Sequence, residues 1–257
     1  MLAPERHEAI LRILRERGRV HSTELSQELG VSEDTVRRDL ARLASEGQLV
    51  RTHGGAVPRS TTKLEFQARS QEKLTEKAHL GRAAAPLIRG GQVVYFDAGS
   101  TVLAAARALP PDLAFTAVTH SIPAALALAD FPRVDVILVG GRLLGRSLAT
   151  VGVEAADACR RIHADLCLVG VAALDPESGI TEPSYDESLV KRALIESASK
   201  VVVIATAAKL GSASPFLVAP ASALDVLITE ASAPKALLEA FRAQGIEVIA
   251  GDAASAG

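Results

Sequence analysis

In the N-terminal stretch, apolar residues recur at helical spacing. Ile10, Ile13 and Leu14 occupy the i, i+3 and i+4 positions of one face and predict a helix over about 5–17, with Gly18 as its C-terminal cap. Leu25 and Leu29 define a second helix that starts at Ser22 or Thr23 and stops at Gly30. Ser32 then stands where a third helix needs a cap, and Glu33 and Asp34 in its first turn complement the helix dipole. That helix ends near Gly47. Gln48–Thr52 reads as a strand, His53-Gly54-Gly55-Ala56 as a tight turn, and Val57 as the start of a return strand. Two helices across a short glycine-containing turn, followed by a hairpin, predict a winged helix-turn-helix.

The pattern changes downstream. Residues 60–75 are polar, with Leu64 and Phe66 as the few apolar anchors, and read as a connection; a helix over about 71–88 follows. Short runs of Val, Ile and Leu then alternate with helical stretches. The strands expected are Gln92–Asp97, Leu113–Val118, Val134–Val139, Asp165–Val171, Val201–Thr206, Leu224–Thr229 and Glu247–Ala250, with helices near 101–109, 121–130, 152–162, 185–199 and 233–243. This alternation predicts an α/β domain whose mostly parallel sheet is covered on both faces. The chain thus divides into a small reader at 1–59, a linker at 60–75 and a larger α/β domain at 76–257.

Composition narrows the classes. Of 257 residues 48% are hydrophobic but only 3% aromatic, with no Trp, which fits helices on an aliphatic sheet better than a base-stacking surface for single strands. No apolar run approaches the roughly 18–20 residues needed to cross a bilayer, and the N-terminus lacks the layout of a signal peptide. Cys159 and Cys167 stand without a paired Cys or a His cluster, so neither a disulfide framework nor a metal site is indicated. A cytoplasmic protein without cofactor or metal is the expectation. Net charge is −2, and residues 1–62 hold about ten Arg against about nine acids. Any DNA-binding charge must therefore be concentrated on one face.

The third helix supplies such a face. Val36, Leu40 and Leu43 point inward, so at about 100° per residue Asp34, Arg38 and Ala41 point outward with Arg37 on the flank. Arginines there can pair with guanine or clamp phosphates; Arg51 and His53 ride on the wing, with Arg59 behind. The candidate DNA-binding residues are Thr23, Ser32, Thr35, Arg37, Arg38, Arg51 and His53. A three-helix domain that binds protein, with these arginines solvated, is the plainer alternative.

In open α/β sheets ligands bind beyond the carboxyl ends of the strands, and the polar residues cluster there. Asp97-Ala98-Gly99-Ser100-Thr101 leads from a strand into a helix, where glycine lets backbone approach a ligand and free N–H groups favour an anion. An ordinary capped turn explains the same string equally well. His120, Arg142 and Lys209 stand at other strand ends, and the loop Leu174–Ser184 delivers a helix with Glu187 and Lys191. The i, i+4 spacing of those two makes a surface salt bridge their default explanation.

The string Val31–Leu40, followed by Leu49-Val50-Arg51-Thr52-His53-Gly54-Gly55-Ala56, resembles the signature of the DeoR family of bacterial transcription regulators. The larger domain resembles that family's sensor domain through Phe96–Thr101, Gly140-Gly141, Asp165–Gly170, Gly179-Ile180-Thr181, and Glu187 with Val190-Lys191-Arg192. The resemblance implies double-stranded operator DNA as one partner, a phosphorylated sugar as effector, and a sensor domain similar in fold to ribose-5-phosphate isomerase. It implies that Gly99, Ser100 and Thr101 hold the phosphate, and that Asp97, Glu187, Lys191 and Lys209 meet the sugar or the phosphate. It implies repression of a carbohydrate operon. A homo-oligomer, at least a dimer, is expected because one short recognition helix reads few base pairs. Two positions depart from the family pattern: His120 stands where Asn is usual, and Thr206 where Asp precedes two small residues and Lys.

The competing reading is a sugar-phosphate isomerase-like enzyme with an accessory DNA-binding domain. Isomerisation needs a carboxylate base and groups to stabilise an enediolate. Where the isomerase carries an acidic stretch, this chain has Val169-Gly170-Val171-Ala172-Ala173. The sequence therefore favours a sensor over an enzyme.

Overall fold

A computed structural model describes residues 2–60 and 65–251; Thr61, Thr62 and Leu64 of the expected linker lie outside the described residues. The chain opens with α1 (Ala3–Arg17), which ends on Gly18 in the left-handed conformation. β1 (Val20–His21), α2 (Ser22–Leu29) and α3 (Glu33–Ser45) follow, then β2 (Leu49–Thr52) and β3 (Gly55–Pro58). Ser32 caps α3 as its position predicts, accepting the Thr35 N–H at 3.2 Å. The α2 cap is His21, not Ser22 or Thr23, and its side chain makes no cap hydrogen bond.

Two-residue β1 is too short to leave a periodic signal, yet it pairs with β3 and widens the wing to three strands in the order β1-β3-β2. A Cβ at Gly55 would sit 1.9 Å from the Val20 carbonyl oxygen, so this close pairing requires glycine. Ile10, Leu14, Leu25, Val36, Leu40, Leu43 and Leu49 form the core. At its edge lies Asp39, between the two faces read from the sequence. Arg6 Nε donates to Asp39 Oδ2 at 2.5 Å and Arg6 Nη2 to Oδ1 at 3.1 Å, while His7 Nε2 lies 2.9 Å from Oδ1. Burial alone would raise the Asp39 carboxyl, but the hydrogen bonds from Arg6 and His7 outweigh it and hold the pKa below its ordinary value. Asp39 thus ties α3 to α1.

The larger domain begins with α4 (Phe66–Gln71) and α5 (Leu74–Ala84). The helix expected over about 71–88 is found as α5 with a 3-10 turn at Ala85–Leu87 after it, and Lys73, left-handed at φ 51°, separates it from α4. The chain continues through β4 (Val93–Phe96), α6 (Ser100–Arg107), β5 (Phe115–Thr119), α7 (Ile122–Ala129) and β6 (Val134–Leu138). Next come β7 (Arg142–Leu144), β8 (Ala149–Val151), α8 (Val153–Arg160), β9 (Leu166–Gly170), β10 (Ala173–Asp175), β11 (Gly179–Glu182) and α9 (Tyr185–Glu196). Last are β12 (Val201–Ile204), β13 (Phe216–Ala219), β14 (Val226–Glu230), α10 (Lys235–Ala243) and β15 (Glu247–Gly251).

Each of the seven expected strands enters one sheet, ordered β15-β14-β12-β9-β4-β5-β6, and all its pairings are parallel. Alternate side chains feed two cores: Phe96, Val102, Ala117, Leu168 and Ile228 pack on one face, Tyr95, Val118, Cys167, Val190 and Val203 on the other. The strand order reverses between β4 and β9, so the crevice at a topological switch point opens at their carboxyl ends, beside Asp97 and Gly170. The antiparallel additions, hairpin β7–β8 and sheet β10-β11-β13, do not follow from the sequence reading. Their three- or four-residue strands are too short for alternation, and most of the stretch read as a loop at 174–184 is the β10–β11 hairpin.

The two domains are joined by more than the chain. Ala213 N–H donates to Pro58 O at 3.1 Å, and Ser60 N–H to Ala213 O at 2.8 Å. Ser60 Oγ donates to Ala172 O at 2.9 Å. Arg19, beside the wing, ion-pairs with both Asp175 and Glu177 of the β10–β11 hairpin.

Candidate functional site

The first site is the outer surface of α3 and the wing. Thr23, Ser32, Arg37, Arg38, Arg51 and His53 are exposed and Thr35 half-buried. Thr35 and Ser32 are joined by a hydroxyl–hydroxyl contact of 2.8 Å at the start of α3, so both serve the cap. Arg37 Nη2 donates to Glu33 at 2.6 Å, and Arg38 pairs with Asp34. These i, i+4 pairs are open to water, where such a bridge contributes no more than about 1 kcal/mol. A nucleic-acid phosphate or a guanine edge can take over either guanidinium at small cost. The acids hold the arginines along the outward face and offset their charge.

The second site is the crevice at the β4/β9 switch point. Gly99, at φ 147° and ψ 155°, turns the chain from β4 into α6; that backbone favours glycine. Ser100 and Thr101 form the first turn of α6, whose leading N–H groups have no partner within the helix. Beneath them Asp97, 1% exposed, accepts the Gly170 N–H at 2.9 Å and ion-pairs with Lys191. Lys191 Nζ also donates to Gly170 O at 2.6 Å and lies 3.4 Å from Glu182 Oε1. Burial works against the ammonium, but Asp97 and Glu182 outweigh it and the Lys191 pKa is raised. Glu182, buried and accepting the Ala172 N–H at 3.2 Å, has its pKa raised by that burial.

His120 faces this cluster from the end of β5. Burial depresses its pKa to about 4, so the ring is neutral at physiological pH, and its Nε2 stands 3.6 Å from Asp97 Oδ1. Two buried polar atoms here have no hydrogen-bond partner among the described residues: His120 Nδ1 and Thr101 Oγ1. Buried polar groups are rarely left so, and both belong to residues lining the crevice. Lys209, which also lines the crevice, is pushed down to about 8 by burial and by the cations around it. The open interior measures about 30 Å³, room for a water or two. A larger ligand must spread the rim side chains.

Most of the expected residues meet in this crevice: Asp97, Gly99, Ser100, Thr101, His120, Glu187, Lys191 and Lys209 all line it. Arg142 does not. The Gly140-Gly141 turn runs into β7, and its side chain pairs on the surface with Asp186. The Glu187–Lys191 surface bridge is also corrected, because Lys191 is buried and its partners are Asp97 and Glu182. Sequence reasoning missed Glu182 and Arg69 as lining residues. Glu182 ends a four-residue strand with no alternation to mark its direction, and Arg69 lay in a stretch read as linker. Thr206, one of the departures, starts the turn Ala207–Lys209; the first N–H of that turn donates to the Glu230 carboxylate. Among the described residues no group of His, Cys, Asp or Glu is arranged to hold a metal, and no helix is long and apolar enough to cross a membrane.

A DNA-reading module on a sensor with a buried polar crevice defines the class, and comparison with known proteins gives the family. Residues 6–62 match the DeoR-like helix-turn-helix domain and residues 72–231 the DeoR C terminal sensor domain. The HTH-type transcriptional regulator GlpR of Haloferax volcanii is 35% identical over 98% of this chain and 99% of its own. The HTH-type transcriptional repressor GlcR of Bacillus subtilis is 34% identical over 97% and 96%. The Glycerol-3-phosphate regulon repressor of Escherichia coli is 28% identical over 96% and 99%. This chain belongs to the DeoR family of transcription regulators. Among solved structures, ribose 5 phosphate isomerase A of Neisseria gonorrhoeae overlaps 52% of either chain at TM-score 0.39 and 15% identity, too slight a likeness to add to the argument.

Proposed function

We propose that the protein represses a carbohydrate operon, and that a phosphorylated sugar in the switch-point crevice releases it from its operator. The observation that carries this reading is the pair of orphaned atoms, Thr101 Oγ1 and His120 Nδ1, on residues that line the crevice together with the start of α6. They supply hydroxyl and imidazole partners for a polar ligand next to backbone N–H groups suited to an anion. The names of the relatives support the same ligand class, one of them a repressor of a glycerol-3-phosphate regulon. Catalysis is disfavoured because Val171 and Ala172 bring no carboxylate to the strand end, and Glu182 is already engaged by Ala172 and Lys191.

The route from ligand to DNA runs through the β10–β11 hairpin. At one end Ala172 and Glu182 wall the crevice; at the other Asp175 and Glu177 hold Arg19. A ligand that spreads the crevice moves this hairpin and with it the reader domain. Paired readers in a homo-oligomer would then lose the spacing of two half-sites. Calorimetric titration with a panel of phosphosugars tests the effector reading: one member binding far more tightly than its unphosphorylated sugar is expected, and equal or absent binding throughout contradicts it.

Two expectations follow. Arg38→Ala weakens operator binding about 5- to 150-fold, the equivalent of the ~1–3 kcal/mol carried by a good arginine contact, while leaving sugar binding unchanged; anisotropy and calorimetry on one preparation check both. The second concerns pH. Lys209 titrates near 8 when the crevice is empty, and an anionic ligand raises that value. Affinity should therefore be level between about pH 7 and 8, above the second ionisation of a phosphomonoester near 6, and fall above pH 8 by up to tenfold per pH unit. Lys209→Met should abolish the slope.

A further inference from the structure

Three cations among the described residues line the crevice: Lys191, Lys209 and Arg69. Lys191 is committed to Asp97, Gly170 and Glu182. The Lys209 ammonium makes no hydrogen bond or ion pair among the described residues, and Arg69 stands close enough for its charge to help depress the Lys209 pKa. Arg69 does not belong to the sheet or its crossover helices. It sits on α4, half-buried, and lines the crevice together with Ser100 and Thr101. Its backbone is pinned from behind: Lys77 Nζ, on α5, donates to the carbonyl oxygens of Arg69 and Glu72, the latter at 2.7 Å. At its other end α4 is tied down by Phe66, whose N–H donates to Arg146 O at 2.6 Å and whose ring is 6% exposed. A short helix, held at both ends, presents one guanidinium beside the start of α6, a lone ammonium and the orphaned Thr101 hydroxyl.

We propose that Arg69 is a ligand-binding residue whose guanidinium, with Lys209 and the first turn of α6, receives the phosphomonoester of the effector. The inference rests on the effector reading above and adds a contact from outside the sheet. Two cations and a helix start match the two charges and three oxygens of a phosphomonoester; a carboxylate would leave part of this set unused. It also places the segment that follows the DNA reader in direct contact with the ligand.

Inorganic phosphate and ribose 5-phosphate are titrated calorimetrically onto the full chain, as wild type, Arg69→Gln and Arg82→Gln, the last on the exposed side of α5. Arg69→Gln is expected to weaken both probes tenfold or more, with Arg82→Gln within twofold of wild type. A loss of less than tenfold in Arg69→Gln overturns the role of Arg69 and leaves the effector reading standing. A wild-type chain that takes up neither probe overturns the phosphate site proposed here, while the effector reading is decided by the phosphosugar panel. Should Arg69→Gln fail to fold, the Nε–H resonance of Arg69 in the wild type decides: it shifts on adding phosphate if the contact forms, and an unmoved signal overturns the proposal.

Discussion

Replacing Lys191 with methionine is expected to lower the stability of the sensor domain by about 3–5 kcal/mol, the cost of breaking a buried ion pair from one side. The side chain is 5% exposed and its ammonium is the shared counter-ion of Asp97 and Glu182. Methionine fills similar volume but leaves both carboxylates buried without it. Because the Lys191 pKa is raised, the wild-type stabilisation is complete at neutral pH and would fade only in strong alkali. In the mutant, Glu182 rises further, so the deficit should shrink as pH falls. Thermal denaturation at two pH values checks both points, and Asp97→Asn added to the mutant should recover part of the loss. Equal stability of mutant and wild type would mean that the pair is not buried as described. Effector response should vanish with the geometry of Asp97, whose carboxylate Lys191 and the Gly170 N–H hold in place.

Asp39→Ala is expected to cost the reader domain about 3 kcal/mol, near the low end for a buried pair, since the Arg6 and Asp39 side chains are 11% and 9% exposed. In a domain of this size that corresponds to a drop of roughly 12–24 °C in its melting temperature. The Asp39 pKa is depressed; its contribution is therefore present above the unfolded carboxylate value, near 4, and lost as pH falls through the folded one. The gap between mutant and wild type should narrow below about pH 4. Although Asp39 directly follows Arg38, its loss should reduce operator binding only through unfolding, so binding recovers at low temperature, whereas that of Arg38→Ala does not.

The contrast between those neighbours shows what the sequence could reveal. Helical spacing assigned Val36 and Leu40 inward and Arg38 outward correctly, because a thirteen-residue amphipathic helix repeats its pattern often enough to be read. Asp39 lies at the border, where only the partner helix decides whether a carboxylate meets water or an arginine 33 positions away. The parallel sheet was legible for a related reason: doubly covered strands are continuous aliphatic runs. The crevice was legible at Asp97–Thr101, where a strand end, glycine and hydroxyls are contiguous. It was not legible at Glu182 or Arg69, which reach it from a short hairpin and from a helix in a polar stretch. Arg142 misled because a glycine turn was taken to end at the crevice, when it instead started a hairpin on the surface. Local chemistry marks a site where one segment carries it; residues gathered from distant short elements need the fold.

On this reading one molecule couples DNA reading to occupancy of the switch-point crevice. Fluorescence anisotropy on DNA from upstream of the protein's own gene, across a salt series and with a panel of phosphosugars, follows both events at once. The expected result is sequence-preferring binding that weakens steeply with salt and is reversed by one phosphosugar. Binding that is indifferent to every sugar, or absent at low salt, would contradict it.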